Sequence, residues 1–372
     1  MNRSFVCLVF FAVLRATQAQ WTLQITHTTS DIEGIHSLGG GIAWASGKNG
    51  SVLRTIDDGT TWHVCAAPDE IKTLDFVSIQ GFTADTAIVM SSGPGDRSRL
   101  YKTIDGCRTW RIILTNPKND SWVGIKFADA ERGLLIGEPG ADTSAMGRRI
   151  ILEETYDGGD TWRAWQDETP ALALRNGSPV SITAFAATFP DRYGQMLFAA
   201  RDSMGTRIYQ VVSSPSFVCD CMPPLPLRGL IKQLRVSSYS APLYTGPDAG
   251  IAAMALTTYG RLMVVGGNSK NPDSPINTAA LSRQSGMGRW DLLEVPPHGY
   301  RSAVAYEPLH KFWITVGPNG TDVSTDDGIH WHALQNNVGS SPASDPQWTS
   351  LSLPFAAGPH GRIGKLDYDP LK

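Results

Sequence analysis

A short motif recurs along this sequence and constrains the fold more than any other feature. Its copies are TIDDGTTW (Thr55–Trp62), TIDGCRTW (Thr103–Trp110), TYDGGDTW (Thr155–Trp162) and STDDGIHW (Ser324–Trp331). The second copy starts 48 residues after the first (55 to 103), and the third starts 52 residues after the second (103 to 155). A repeat of this length indicates an array of supersecondary units, and units of four strands indicate a β-propeller.

The residue types of the motif suit a tight turn that leads into a buried strand. A carboxylate accepts hydrogen bonds from the backbone N–H groups of a turn, and glycine adopts backbone conformations that other residues resist. A tryptophan buries a large apolar surface between neighbouring units. The motif resembles the Asp-box of β-propellers, which lies away from the propeller axis. The structural residues that it predicts are Asp57, Trp62, Asp105, Trp110, Asp157, Trp162, Asp326 and Trp331.

Runs of alternating or apolar residues precede most of the motifs, as the strands of a blade require. A fourth and a fifth unit have lost most of the motif, and a shorter unit, WTSLSLPFAAGPHGRIGKLDYD, lies near the C-terminus. The strand-like segment WTLQITHT would complete that last unit and remove the free edges of the ring.

We therefore predict an all-β fold, a seven-bladed β-propeller of four-stranded antiparallel blades with Asp-box turns, closed by the N-terminal strand. Six blades is the alternative. An irregular insertion is expected at residues 217–248, where prolines are frequent and no regular strand pattern is visible.

The N-terminus reads MNRSFVCLVFFAVLRATQAQ, with a positive charge at Arg3, an apolar stretch over Phe5–Leu14 and small residues before a cleavage site after Ala19. This order is typical of a secretory signal peptide, although a soluble helix is the alternative. The stretch is too short for a permanent membrane span, and no second segment is long enough. We predict a signal peptide at 1–19, a single propeller domain at 20–372, and a periplasmic or secreted protein without a stable membrane span after cleavage.

The cysteines fit an exported protein. Cys7 belongs to the predicted signal peptide, which leaves Cys65, Cys107, Cys219 and Cys221 in the mature chain. Cys65 closely follows the first motif and Cys107 replaces the glycine of the second, so we predict a disulfide between these two residues. For Cys219 and Cys221, free thiols, a local disulfide and a metal site stay open, but a metal site would want more Cys or His residues at close spacing.

Several longer strings carry a family resemblance across almost the whole mature chain. They include IAWASGKNGSVLRTIDDGTTW, LLIGEPG, LMVVGGNSKNPDS, ITVGPNGTDVSTDDG and AAGPHGRIGKL. With these, the chain resembles the photosystem II stability/assembly factor family of seven-bladed propellers, and more closely a bacterial branch often labelled oxidoreductase, glycosyl hydrolase or BNR-repeat protein. The resemblance implies a non-enzymatic scaffold outside the cytoplasm that binds partner polypeptides through basic surface residues. It does not imply photosynthesis.

Enzyme functions find little support in the residues. A sialidase would need an arginine triad and an early Arg-Ile-Pro string, and the string is absent. Other glycosidases would need two carboxylates facing each other across a sugar. The glycine strings open no helix of a βαβ unit, so no cofactor is predicted. His330 and His332 lack a third ligand, so no metal is predicted. A formal net charge of −3 disfavours nucleic acid as a partner.

Polar residues near the ends of second strands are the candidates for a binding site, because propellers bind ligands where strand ends converge near the axis. Tyr300 and Arg301 begin the sixth blade and are added to this group. Turn geometry alone would also explain most of these residue types. The candidate binding residues are Glu138, Arg201, Asn268, Tyr300, Arg301 and Asn319. A basic patch is a second candidate, formed from Arg148, Arg149, Arg201, Arg207, Arg228 and Lys232.

Taken together, these features predict an exported, non-catalytic propeller that serves as a binding or assembly scaffold without a cofactor. Its expected partner is another exported or membrane protein. A carbohydrate-active hydrolase of the sialidase-like type is one alternative, and a propeller that binds a glycan or a small polar ligand is another.

Overall fold

The computed structural model describes residues 21–66, 69–140, 150–164, 181–188, 195–202, 205–215, 232–240, 242–243, 248–257, 259–283, 289–334 and 347–367. These residues form seven four-stranded antiparallel sheets, so the predicted seven-bladed propeller is confirmed and the six-bladed alternative is wrong. Within the described ranges, helix is limited to two short 3₁₀ turns, Asp69–Ile71 and Gly95–Arg97. Neither is long or apolar enough to cross a membrane.

The strands follow one another blade by blade. Strand β1 is Trp21–Leu23. Blade 1 contains β2 (Ile32–Gly39), β3 (Ile42–Gly47), β4 (Val52–Thr55) and β5 (His63–Val64). Blade 2 contains β6 (Phe76–Gly81), β7 (Ala87–Ser91), β8 (Arg99–Thr103) and β9 (Arg111–Thr115). Blade 3 contains β10 (Ser121–Phe127), β11 (Gly133–Glu138), β12 (Ile151–Thr155) and β13 (Arg163–Ala164).

The remaining blades follow the same order. Blade 4 contains β14 (Ser181–Thr188), β15 (Gln195–Asp202), β16 (Gly205–Pro215) and β17 (Lys232–Tyr239). Blade 5 contains β18 (Ala249–Leu256), β19 (Leu262–Asn268), β20 (Ala279–Ser282) and β21 (Trp290–Leu292). Blade 6 contains β22 (Ala303–Glu307), β23 (Phe312–Gly317), β24 (Gly320–Ser324) and β25 (His332–Ala333). Blade 7 contains β26 (Ser350–Ser352), β27 (Phe355–Ala357) and β28 (Ile363–Leu366).

The N-terminal strand β1 supplies the outermost strand of blade 7 and closes the ring, as the sequence predicted. It runs antiparallel to β28, with Trp21 opposite Leu366. The Trp21 ring packs on Trp348 with ring centroids 5.4 Å apart. Its indole N–H donates to Thr321 Oγ1 in blade 6 at 2.9 Å. Closure therefore joins both ends of the described chain to the last two blades.

The recurring motif forms a turn between the third and fourth strands of blades 1, 2, 3 and 6, which we call the motif turn. In blade 1, Asp57 Oδ1 accepts hydrogen bonds from the Thr61 N–H and the Thr55 hydroxyl, both at 2.9 Å. The Thr61 hydroxyl donates to Asp57 Oδ2 at 2.5 Å. In blade 2, the hydroxyl and N–H of Thr109 and the hydroxyl of Thr103 lower the pKa of Asp105 to about 2. The carboxylate is therefore ionised at neutral pH, and in this form it accepts the hydrogen bonds that hold the turn.

The glycine of the motif turn is fixed by packing as well as by backbone conformation. Gly59, Gly159 and Gly328 have φ values of 86°, 88° and 88°, in the left-handed region that favours glycine. A Cβ atom at Gly59 would lie 2.8 Å from Phe355, in the preceding blade of the closed ring. The same atom at Gly328 would lie 2.5 Å from Met263 of blade 5. The motif turns therefore pack closely against the neighbouring blade.

In blade 2, Cys107 occupies the place of that glycine, with a φ of 63°. It forms a disulfide with Cys65, the pair proposed from the sequence, and the Cα atoms are 5.5 Å apart. Cys65 follows the last strand of blade 1, so the bond joins two neighbouring blades. Both cysteines lie in the buried cluster around Trp44 and Phe76.

The innermost strands of blades 1 to 5 share a β-bulge at an equivalent position. The pairing of the first strand with the second shifts by one residue near its start in blades 1 to 5. A β-bulge of this kind bends the strand and re-aims a side chain. The residues at the bulge are Glu33, Val77, Val123, Thr183 and Ala252. The bulges place the following residues of each strand in equivalent positions around the propeller axis.

Part of the segment predicted to be irregular is regular. Strand β17 lies inside residues 217–248 and pairs with β16 from Ile208 opposite Tyr239 to Pro215 opposite Lys232. Other predictions fall outside the described residues: the signal peptide, Cys219, Cys221, Arg148, Arg149 and Arg228.

Candidate functional site

The first strands of all seven blades surround a central channel. Their side chains line a cavity of about 670 Å³ on the propeller axis. The end where these strands begin is called the upper face here. The end where they finish is the lower face, which also carries the motif turns, as shown by the hydrogen bond from the Asp58 N–H to the Gly41 carbonyl at 2.9 Å. A concave site with mostly apolar walls and a few polar groups is the usual form of a ligand site.

One ring of the channel wall divides into two unlike halves. The ring contains the residue three positions after each bulge residue in blades 1 to 5 and the equivalent residue, by strand pairing, in blades 6 and 7. The half that we call the polar arc contains Ser352, His36, Gln80 and Lys126, from blades 7, 1, 2 and 3. The half that we call the alanine arc contains Ala186, Ala255 and Ala305, from blades 4, 5 and 6.

His36 in the polar arc is held as a neutral ring. The backbone N–H of Gly81 donates to His36 Nδ1 at 3.2 Å, which leaves the proton of the neutral imidazole on Nε2. His36 Nε2 lies 3.2 Å from Gln80 Nε2, and the same amide nitrogen donates to the Gly81 carbonyl at 3.2 Å. Burial and the nearby charge of Lys126 lower the pKa of His36 to about 4. The ring is therefore a neutral hydrogen-bonding group at physiological pH and not a second cation.

Lys126 is the one lysine or arginine among the described residues that line the channel. Its side chain reaches the water-accessible space of the channel but is surrounded by protein, and this desolvation lowers the pKa of its ammonium. Among the described residues, neither a hydrogen bond nor an ion pair to its Nζ is present. A cation without a counterion in a partly desolvated site is costly, so Lys126 is the most distinctive group of the channel.

The two carboxylates of the channel wall lie in different surroundings. Burial raises the pKa of Glu33 at the blade 1 bulge, and the charge of Lys48 opposes that rise. Glu307, the last residue of the first strand of blade 6, pairs with the imidazole of His310 at 3.0 Å and accepts the His310 N–H. Glu307 is therefore engaged in its own turn, while Glu33 belongs to the charged group around Lys48 near the upper face.

The candidate binding residues predicted from the sequence lie toward the upper end of the propeller, where the first strands begin, but not all of them are exposed there. Glu138 ends β11 and accepts the Ile182 N–H of blade 4, so that it links two blades. Burial raises the pKa of Glu138, whereas its hydrogen bonds to Ile182 and Ser181 oppose that rise. Asn268 ends β19, and its Oδ1 accepts the N–H groups of Lys270 at 2.9 Å and Asn271 at 3.2 Å. Both residues thus have local structural partners.

Arg201 and Tyr300 are half-buried neighbours on this face, although they belong to blades 4 and 6. Burial raises the pKa of the Tyr300 phenol, and the guanidinium of Arg201 opposes that rise. Between them lies Gly250, where a Cβ atom would stand 3.3 Å from Arg201 Nη2. Of the predicted binding residues, these two are close enough for the charge of Arg201 to act on the Tyr300 phenol.

Arg301 and Asn319 belong instead to a buried network between blades 5 and 6. Arg301 is fully buried, and its Nε donates to Asp322 Oδ2 at 2.7 Å. Asp322 is also buried and pairs with His298 Nδ1 at 2.5 Å. The Asn319 amide accepts from Arg301 Nη1 and donates to the Pro272 carbonyl at 3.0 Å. Since the charge of Arg301 is already neutralised by Asp322, this network joins blades and does not offer a free cation.

Sequence reasoning missed the polar arc, although a sign of it was present. Lys126 stands in the string WVGIKFADA, within a first strand whose equivalent residues in blades 4 to 6 are alanines. Aligning the first strands by their bulges would have shown one position that is polar in neighbouring blades and small in the others. Polar residues at strand ends were predicted as the site because they stand out in turns. A lysine within a strand is more typical of a solvent-facing position, so Lys126 gave no such signal.

The described residues contain no group of three or more His, Cys, Asp or Glu side chains arranged to hold a metal ion. The chemistry available in the channel is that of an ammonium group, a neutral imidazole, an amide, a hydroxyl and two carboxylates, next to a belt of apolar side chains. Such a set binds and orients polar groups by hydrogen bonding and charge.

Comparisons with known proteins identify the fold. No protein-family model matches the chain, and no curated protein matches it by sequence. Among solved structures, it is similar to YCF48 bound to D1 peptide, with a TM-score of 0.61, 17% identity, and coverage of 93% of this chain and 96% of that one. For YCF48 from Cyanidioschyzon merolae, the TM-score is 0.61 and the identity is 18%, with coverage of 93% of this chain and 98% of that one. For the GH74 xyloglucanase from Xanthomonas campestris, the TM-score is 0.55 and the identity is 16%, with coverage of 93% of this chain and 53% of that one.

Proposed function

We propose that this chain is an exported, non-catalytic propeller that binds a peptide segment of another exported or membrane protein. The observation that carries the proposal is the central channel, which has an apolar belt and, next to it, a ring of side chains that is polar in blades 7, 1, 2 and 3 and alanine in blades 4, 5 and 6. Peptides present an apolar surface and regularly spaced polar groups together, which matches such a wall. The likeness of the fold to YCF48 with its D1 peptide adds support for a protein partner, without naming that partner.

Export is supported by two independent features of the chain. The N-terminal sequence has the order of a signal peptide. The disulfide between Cys65 and Cys107 fits an oxidising compartment, because cytosolic thiols are normally kept reduced. We therefore propose a periplasmic or secreted location for the mature propeller.

A carbohydrate-active hydrolase is the alternative, favoured by the likeness to the GH74 xyloglucanase. Glycoside hydrolysis requires an acid and a second carboxylate on opposite sides of the scissile bond. Of the two acidic side chains in the channel wall, Glu307 is held by His310 and Glu33 is grouped with Lys48. This arrangement gives the hydrolase less support than the binding protein.

Site-specific photo-crosslinking in the native organism tests the proposal. A photoreactive phenylalanine analogue is placed at Tyr300 on the upper face or at Tyr259, which is 83% exposed in the turn after β18 on the lower face. Tyr156, on the motif turn of blade 3, is the control, since it is 49% exposed but lies away from the axis. Adducts with one defined peptide segment from Tyr300 or Tyr259, and none from Tyr156, are expected.

Equal labelling from Tyr156 would contradict a site on the axis. Absence of any polypeptide adduct, together with release of reducing sugar from a β-glucan by the purified protein, would favour the hydrolase. In that case Glu33→Gln should abolish sugar release, whereas the binding proposal predicts no hydrolysis to abolish.

A further inference from the structure

The channel contains a charge that the structure leaves unbalanced. Lys126 lies in the polar arc and has no hydrogen-bond or ion-pair partner among the described residues. The cavity beside it, about 670 Å³, is large enough for a small molecule or a short chain segment. An ammonium group that lines such a cavity without a counterion is placed to form a charge-assisted hydrogen bond with a ligand anion.

We propose that the channel binds a carboxylate group at the Lys126 ammonium, with the apolar remainder of the ligand lying along the alanine arc. The inference stands on the channel residues themselves and does not depend on the partner being a protein. The carboxylate is supplied either by a small organic acid or by the C-terminus of a peptide, and both share the same recognition chemistry.

The neighbours of Lys126 fit a carboxylate as the anion. His36 carries its proton on Nε2 and is neutral, so it adds a donor without adding charge. Gln80, whose amide nitrogen already donates to the Gly81 carbonyl, lines the channel in the next blade, and Ser352 offers a hydroxyl on the other side of His36. One cation and several neutral donors balance a single negative charge, whereas a phosphate dianion would call for a second cation.

The two carboxylates of the channel strengthen this choice. Glu33 and Glu307 lie in the wall in blades 1 and 6. Both repel anions, so a highly charged ligand would be disfavoured over a monoanion. A monocarboxylate that meets Lys126 directly gains a charge-assisted hydrogen bond and keeps its distance from both acids.

The apolar wall defines the remainder of the ligand. The residue before each member of the ring is apolar in every blade, and the seven line the channel: Ile35, Ile79, Ile125, Phe185, Met254, Val304 and Leu351. On the alanine arc the small side chains leave room beside this apolar belt. An aliphatic tail, or the apolar side chain of a terminal residue, would bury its surface there.

Calorimetric titration with matched acid and amide ligands tests the inference. The probes are butyrate against butanamide, and N-acetyl-Ala-Ala-Leu with a free carboxylate against its C-terminal amide. The mature protein should bind at least one acid with a Kd of about 1 mM or tighter, and the matching amide about tenfold more weakly or not at all. Binding of the peptide acid alone identifies a chain terminus as the source, and binding of butyrate alone identifies a small acid.

The variant Lys126→Met removes the charge and keeps the length of the side chain. It should lose about tenfold or more in affinity for the acid, and its unfolding midpoint should equal or exceed that of the parent, because an uncompensated charge has been removed. Lys270→Met, at an exposed turn on the upper face, is the matched control and should bind like the parent. Equal binding of acid and amide, no binding of either acid at about 10 mM, or unchanged affinity in Lys126→Met would overturn the inference.

Discussion

Blades 3 and 4 are neighbours in the ring but hold their outermost strands in different ways. In blade 3, β13 has 2 residues and directly follows a motif turn. In blade 4, which lacks the motif, β17 has 8 residues and pairs with β16 along its whole length. The outer strands of blades 1 and 6, which also follow motif turns, have 2 residues each, and that of blade 2 has 5.

The difference shows two solutions to the same problem. An outermost strand has a neighbour on one side only, so something must hold it to the blade. A long ladder does so through many backbone hydrogen bonds. A motif turn does so through a carboxylate that gathers the turn and a tryptophan that packs into the seam between blades, as Trp331 does in the cluster around Met263 and Trp313. A short strand is sufficient where side chains take over from the ladder.

The largest expected effect comes from removing a motif tryptophan that is fully packed. Trp331 is 3% exposed, and its indole N–H donates to the Gly328 carbonyl at 3.0 Å. Trp331→Ala should lower the free energy of unfolding by about 3–5 kcal/mol, measured by urea denaturation. Trp162 makes the same hydrogen bond to Gly159 but is half-buried, so Trp162→Ala should cost about 1–2 kcal/mol.

The comparison also predicts where the damage appears. In Trp331→Ala, backbone amides of β25 should exchange with solvent faster, whereas those of β17 should be unchanged because its ladder does not rely on a tryptophan. Equal acceleration in both strands would mean that the motif turn stabilises the whole ring and does not hold its own outer strand.

The second prediction concerns the disulfide between blades 1 and 2. It links residues separated by 42 positions, so it restricts the unfolded chain considerably. Replacing both cysteines by alanine should lower the free energy of unfolding by about 2–4 kcal/mol. Reductant should lower the unfolding midpoint of the parent and leave that of the double variant unchanged. A parent protein that is insensitive to reductant under denaturing titration would contradict the assignment.

The architecture could be predicted from the sequence because its signals are local. A turn such as Thr55–Trp62 needs a particular residue at nearly every position, and the spacing of the copies gave the blade length. Blade 4 was harder, since β17 forms through pairing with β16 and carries no turn signature, so it was included in the irregular segment.

The channel could not be predicted in the same way. Lys126 and His36 lie 90 positions apart (36 to 126), and the charge of Lys126 acts on the His36 ring only because the blades surround a common axis. Likewise, Arg301 looked like an accessible cation in the sequence, but its charge is paired with Asp322 inside the protein. Which polar residue is buried and which is available depends on contacts between blades, and one sequence does not show those contacts.

The third prediction separates the cross-link from the backbone conformation at residue 107. With Cys65→Ala in both proteins, Cys107→Gly restores the usual motif residue and Cys107→Ala does not. Because φ is 63° at this position, alanine should be less stable than glycine by about 1 kcal/mol. Urea denaturation of the two double variants measures the difference directly. Equal stability would show that the motif turn of blade 2 tolerates a side chain without strain.

The smallest expected effect is a pH dependence confined to blade 6, where His330 takes the place of the motif threonine. The hydrogen bond of its ring to Asp326, at 2.6 Å, raises the pKa of His330, and Glu294 adds to the rise. Burial opposes ionisation of Asp326, but the N–H and the ring of His330 outweigh it and lower the pKa of Asp326 to about 2.

Both partners are therefore charged in the folded protein at mildly acid pH. A histidine whose pKa is raised on folding contributes its full stabilisation below its unfolded pKa of about 6.5, and loses it as the pH rises through the folded value. The urea midpoint of the parent should fall between about pH 6 and pH 8 relative to that of His330→Thr, whose hydroxyl donates to Asp326 at any pH. Parallel pH profiles of the two proteins would show that the imidazole replaces threonine only by shape, and that the motif turn of blade 6 works without its charge.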